Sequence, residues 1–196
     1  MKQDTAVASG ILNCDKCQLA TLRSGSAVPA MPGANYQKGG IAIYLDGPDA
    51  AAEKAGKPLT DRLGRMVDVM LQAAGLKRED VLVLYRVRCR APRNRIADYP
   101  DAVLACDDWL KKEIEVYEPR VIVTCGANAS KGIVSGTNGI SAIRGSVRTA
   151  RGNMGSCTDY IFTWNPTAIM IAGGIGTQMC NEFVDDLRLS KELRDG

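Results

Sequence analysis

Four short apolar runs are spaced widely along the chain, and each ends on turn-forming residues. They are "IAIYL" at 41–45, "VLVLYRV" at 81–87, "RVIVTCG" at 120–126 and "DYIFTW" at 159–164. Runs of this length, rich in β-branched and aromatic residues, predict buried strands. Between them the apolar spacing becomes helical. In "LTDRLGRMVDVMLQAAGL", Leu63, Met66, Val67, Met70 and Leu71 recur at three- and four-residue intervals, with Gly75 near the end. "DAVLACDDWLKKEIEVY" (101–117) predicts an amphipathic helix, "ANASKGIV" a shorter one and "TQMCNEFVDDLRLSKEL" (177–193) a closing one. The stretch up to about Gly40 reads as irregular, with "SGSAVPAMPGANYQKGG" as a long surface loop.

Strands alternating with helices predict a three-layer α/β/α sandwich around a central, mainly parallel, four-stranded sheet. In such sheets the ligand crevice lies beyond the carboxyl ends of the strands. That rule selects the loops "LDGPD", "RVRCRAPRNR", "CGANAS" and "WNPTAIM". The last carries an Asn-Pro pair, and proline fixes φ there and bends the chain after Asn165.

Composition narrows the picture further. A chain of 196 residues fits one domain, 1–196, with a substantial core of its own. No stretch approaches the roughly 20 apolar residues that span a bilayer. No secretory h-region opens the chain, so a cytoplasmic setting is expected. The net charge of +3 permits a nucleic-acid partner without requiring one. There is no histidine, so a zinc site would be all thiolate or would include carboxylates.

Seven cysteines without an export signal do not suggest a disulfide framework. Cys14 and Cys17 form a C-x-x-C pair, which taken alone fits a redox pair, half a metal site or chance. Seventy-one residues separate Cys17 from Cys89, and a 16-residue gap separates Cys89 from Cys106. Cys125, Cys157 and Cys180 are expected to be small buried hydrophobes. Cys89 differs in its company, because "RVRCRAPRNR" sets Arg86, Arg88, Arg90, Arg93 and Arg95 around it. Guanidinium groups there would stabilise a cluster with four thiolate ligands or contact phosphates, though any one arginine is more commonly a solvated surface group.

Several of these stretches resemble the family 4 uracil-DNA glycosylases. They are "CDKCQL" (14–19), "GKPLTDRLGRMVDVML" (56–71), "RVRCRAPRNR" (86–95), "AC" (105–106), "PRVIVTCGANAS" (119–130), "IRGSV" (143–147) and the late "VDDL". The resemblance runs in order from Cys14 to Leu187. It implies a uracil-DNA glycosylase-like fold and a [4Fe–4S] cluster held by Cys14, Cys17, Cys89 and Cys106. The cluster would pack the N-terminal segment, 10–40, onto the core. It also implies DNA, single- or double-stranded, as partner, a monomeric state and no membrane.

The pocket motifs depart from the family pattern. The first, Gly-Glu-Ala/Gly-Pro-Gly, aligns with Leu45, Asp46, Gly47, Pro48 and Asp49. Asp46 keeps a carboxylate able to orient water or oppose a sugar cation, or else it simply stabilises the turn. Asp49 adds a negative charge where the family has glycine. Leu59 replaces an aromatic expected to stack on the flipped base, and Tyr85 replaces the asparagine that reads the uracil edge. Asn165 stands in "NPTAIM" where the family has histidine, and it either donates to a base oxygen or initiates the Asn-Pro turn. Four changed pocket positions beside retained cysteines point to altered specificity or function rather than random decay.

The expected function is therefore action on a flipped pyrimidine in DNA, as a glycosylase of shifted base preference or an enzyme recruited to a modified pyrimidine such as a hypermodified thymine. Asp46, Asp49 and Asn165 are the candidate catalytic groups, with Gly47, Pro48, Leu59 and Tyr85 forming the base pocket. The five loop arginines, with Arg144 and Arg148, would serve phosphates. The alternative is a nucleic-acid-binding module that has lost the chemistry. A redox or iron–sulfur sensor is a weaker third.

Overall fold

A computed structural model describes residues 2–134, 139–151 and 157–196. Its centre is a six-stranded sheet in the order β1-β3-β2-β4-β6-β5. The strands are β1 (Met31–Pro32), β2 (Ile41–Leu45), β3 (Val81–Tyr85), β4 (Val121–Cys125), β5 (Val147–Arg151) and β6 (Cys157–Thr163). β3, β2, β4 and β6 run parallel, while β1 and β5 pair antiparallel on the two edges. The expected parallel quartet is present, but the sheet has six strands, not four. β1 is only two residues long and β5 is exposed throughout, so neither carries a buried apolar run.

The four parallel strands alternate cleanly between two faces. Ile41, Ile43, Val81, Val83, Val121, Val123 and Ile161 face a core closed by α4 (Arg62–Ala73), α7 (Pro166–Ile171) and α8 (Gln178–Asp195). Ala42, Tyr44, Leu82, Leu84 and Ile122 face the other layer, packed on α5 (Pro100–Tyr117) and α6 (Ala127–Ser130). Among the described residues no helix is long and apolar enough to cross a membrane.

The N-terminal stretch is not irregular as expected. It forms α1 (Lys2–Leu12) and α2 (Gln18–Leu22), which build a third small core with Cys89, Ala91, Ile96, Ala102 and Cys106. The long loop expected after it is present apart from β1. Two further helices are present: α7 occupies a stretch read as a turn, and α3 (Ala50–Ala55) directly follows the expected turn "LDGPD". Cys125 and Cys180 are buried as expected, but Cys157 is exposed, because it opens β6 at the sheet edge beside exposed β5.

Candidate active site

In-register pairing brings Leu45 opposite Tyr85 and Cys125 opposite Thr163, so the parallel strands end at one level. The residues leaving those ends, Asp46, Arg86, Gly126 and Trp164–Asn165, therefore meet at one rim. Their convergence follows from the topology, although they are far apart in the sequence.

Asp46 is the centre of this meeting. Its Oδ1 accepts the backbone N–H of Ala129 at 2.8 Å. Its Oδ2 accepts the side-chain amides of Asn128 at 3.3 Å and Asn165 at 3.2 Å. Burial raises its pKa above the usual carboxylate range, while these donors and the Arg86 charge pull the other way. Asn165 is fixed from both ends. It is the N-cap of α7, its Oδ1 accepting the Thr167 N–H at 2.8 Å, with Pro166 at the first helical position. That bond orients the amide, leaving one of its two N–H groups for Asp46 and the other unassigned. Gly126 makes room for it: a Cβ there would lie 2.9 Å from Asn165 Cβ, and the backbone φ of +93° also favours glycine.

Asp46 and Asn165 line a cavity of about 350 Å³, together with Gly47, Pro48, Asp49 and Tyr85. The rest of the wall is mostly apolar, including Leu63, Val87, Ile96 and Ala168. That is the size and character of a small-ligand pocket. Gly47 is required by close approach, because a Cβ would meet Val87 Cγ2 at 2.9 Å. Asp49 caps α3, its Oδ1 accepting Ala52 N–H at 2.8 Å, which gives its charge a structural role at the cavity wall. Tyr85 is buried, and that burial pushes its phenol well above the ordinary tyrosine pKa, with Asp49 adding to the effect. Leu59 does not line the cavity. It lies in the main core with a left-handed φ of 55°, its carbonyl pressed against Gly64 and accepting Arg78 Nη1 at 3.2 Å.

The arginines divide into two groups. Arg88 is 1% exposed and pairs with Glu113, so the expectation that it contacts phosphate is wrong. Its Nη1 donates to the carbonyls of both Arg86 and Cys106, at 3.0 and 3.3 Å. Arg86 donates to the Asn128 carbonyl at 2.7 Å and holds α6 against the rim. Arg144 is tied to Asp186 at 3.2 Å and Glu182 at 3.5 Å. Arg90 bonds Asn94 at 2.9 Å, and exposed Arg95 pairs loosely with Asp98 at 3.2 Å. Arg93 is exposed and shares left-handed backbone with Asn94, at φ 55° and 57°. A non-glycine residue held there costs about 1–2 kcal/mol. Arg148 is exposed on the outermost strand, apart from the arginine loop. Arg90, Arg93 and Arg95 are the arginines next in sequence to the cavity-lining Ala91, Asn94 and Ile96.

Cys14 follows α1, Cys17 caps α2, Cys89 lies on the arginine loop and Cys106 on α5. Cys89 and Cys106 are buried in the third core, and Cys17 packs on it. Burial pushes the Cys89 thiol up to about 11, with the Arg23 guanidinium opposing that shift. Cys106 is also raised by burial, and Cys17 and Cys14 are near enough to add to it. Among the described residues no three His, Cys, Asp or Glu side chains are placed to hold a single metal ion.

Sequence reasoning missed Asn128, Asn94 and Thr167 as site residues. Asn128 sits inside the selected loop "CGANAS", but nothing in its own neighbourhood signals a partner in a residue as distant as Asp46. Ile171 was also missed: it lines the cavity and is 80% exposed at the end of α7.

Comparison with known proteins gives this rim a lineage. The type-4 uracil-DNA glycosylase of Archaeoglobus fulgidus is 28% identical over 187 residues, covering 93% of this chain and 89% of that protein. That of Thermotoga maritima is 32% identical over 140 residues, 71% of this chain and 70% of its own. That of Sulfurisphaera tokodaii is 32% identical over 126 residues, 64% of this chain. The chain spans 55% of the length of the Sulfurisphaera protein and 61% of a Pyrobaculum aerophilum relative. Residues 40–188, which hold the whole sheet from β2 to β6 and every cavity-lining side chain, match the family, and the chain belongs to the uracil DNA glycosylase superfamily.

Proposed function

We propose that this protein acts on a pyrimidine flipped out of DNA into the cavity beside Asp46, cleaving or altering it with a base preference shifted from uracil. The observation that carries this reading is a buried carboxylate, held by three protein donors, in the wall of an otherwise apolar cavity at the strand ends. A carboxylate so fixed suits a reaction in which positive charge develops on a sugar. As the N-glycosidic bond breaks, its electron pair leaves with the base. Asp46 opposes the sugar cation and orients the water that attacks the vacated carbon, and the water's proton passes to Asp46 or to the departing base. The second N–H of Asn165 can donate to a base oxygen, without the charge an imidazolium would add. Tyr85 puts a bulky ring in the cavity wall with its hydroxyl turned to the Leu59 backbone, where an amide would offer donor and acceptor together, which disfavours a uracil-specific fit. Arg90, Arg93 and Arg95 suit the phosphates flanking the flipped nucleotide. Ile171 is placed to press into the vacated base stack.

The four cysteines suit an iron–sulfur cluster. A single ion needs its donors at one point, whereas a four-iron cluster keeps its thiolates at separate corners. Thiols converging loosely within one small core match the second demand. Cys14, Cys17, Cys89 and Cys106 would hold it, and its contribution would be to tie the N-terminal helices and the arginine loop to α5.

A second reading, a nucleic-acid-binding module without chemistry, is favoured by one observation: Asn165 has structural partners at both ends of its amide, the α7 cap through Oδ1 and Asp46 through Nδ2. Single- and double-stranded oligonucleotides carrying uracil, thymine or a 5-substituted pyrimidine separate the two. Abasic product or a mass change on any of them supports catalysis. Tight binding with no product on all of them supports the binding module.

A further inference from the structure

Away from the base cavity, two side-chain donors are aimed at sulfur. Arg23 Nη1 lies 3.7 Å from Cys89 Sγ, while its Nη2 donates to the Leu12 carbonyl at 3.3 Å. The guanidinium thus bridges the end of α1 to the cysteine of the arginine loop. Trp109 Nε1 lies 3.3 Å from Cys14 Sγ. Its indole is lodged against Gly10 of α1, where a Cβ would come within 2.6 Å of the ring. The ammonium groups of Lys16 and Lys112 sit 5.0 and 4.7 Å from the same ring.

An indole N–H and a guanidinium can only donate. Aimed at neutral thiols they gain little, but aimed at thiolates they make charge-assisted bonds. Both donors, and the lysines over the indole, therefore match sulfurs that carry negative charge.

We propose that Arg23 and Trp109 are positioning residues for the cluster, a proposal that rests on the iron–sulfur reading above. They set its reduction potential and slow its loss. Reduction adds one electron to the cluster and deepens its negative charge, so N–H groups directed at its sulfurs favour the reduced state and raise the potential. Trp109, covered by Lys16 and Lys112, also screens the Cys14 corner from water.

The test uses the full chain purified anaerobically, with iron counted, the visible spectrum recorded and the midpoint potential measured by film voltammetry. Trp109→Phe keeps the ring and removes the N–H; Arg23→Gln keeps a donor and removes the charge. Both should bind iron with a more negative potential than the unaltered protein, and lose it to a chelator about tenfold faster. Gly10→Ala, which shifts the indole without changing it, should reproduce the Trp109→Phe potential even where that variant folds poorly. Unchanged potentials across the three variants, with iron still bound, overturn the proposal and leave the cluster standing. No iron in the unaltered protein overturns the cluster itself.

Discussion

The side chain of Asn165 serves two structures at once. Its oxygen caps α7 and its nitrogen holds Asp46, so the turn and the site share one amide. Asn165→Ala should therefore cost about 1 kcal/mol of stability through the lost cap, read by denaturant unfolding. It should also slow base release by more than that loss explains. Asp46→Asn removes the carboxylate and should lower the rate of product formation by about 10²–10⁴. Because burial raises the Asp46 pKa and the proposed role requires the ionised form, activity should fall as pH drops through that raised value. The acidic limb of a pH–rate profile should accordingly lie above the position of an ordinary aspartate. At this scale the sequence was read unevenly. Asp46, Tyr85 and Asn165 could be picked out because they stand at motif positions on strand-end loops. Arg88 could not be told from its neighbours, because alternation along the loop turns one guanidinium inward to Glu113, and that partner lies on a helix read separately.

Among the elements, the legible ones are those with long apolar runs or several turns of helical spacing. β2, β3, β4, β6, α4, α5 and α8 all fall where such patterns predict them. α3 and α7 have six residues each, too few to show a period, and are instead made by caps: Asp49 on one, Asn165 followed by proline on the other. α1 carries few large apolar residues, and its burial depends on α5, which the local pattern does not reveal. Backbone fit between elements gives a sharper test than side-chain chemistry. Gly126→Ala should press a methyl group on Asn165 and strain a left-handed residue, lowering activity more than stability, as a comparison of product yield with melting temperature would show. Gly64→Ala should do the reverse. Its Cβ would fall 1.8 Å from the Leu59 carbonyl, at the start of α4, and the cost should reach about 3 kcal/mol with the cavity intact.

Among the described residues there are three cores: one on each face of the sheet, and a third among the cysteines. The parallel layers were legible because two-residue alternation and helical spacing name the faces directly. The third core was legible only through its cysteines, since its apolar residues are scattered singly over loops and short helices. Arg88 and Glu113 join it to the rest. Glu113 also accepts the Ala30 N–H at 2.7 Å, and Val28 N–H bonds the Arg88 carbonyl at 2.7 Å, so the pair fastens the N-terminal strap to α5 and the arginine loop. Arg88→Met alone should leave a buried carboxylate uncompensated and cost about 3–5 kcal/mol in urea unfolding. Arg88→Met with Glu113→Leu should recover much of it.

This third core also imposes an order on the newborn chain. Cys14 and Cys17 are made well before Cys89, and the last sulfur is supplied only when residue 106 has been made. Until then α1 and α2 have nothing to fold against. The opening segment must wait, exposed to oxidants and proteases, and a slow stretch of translation just past α5 would give it time to dock.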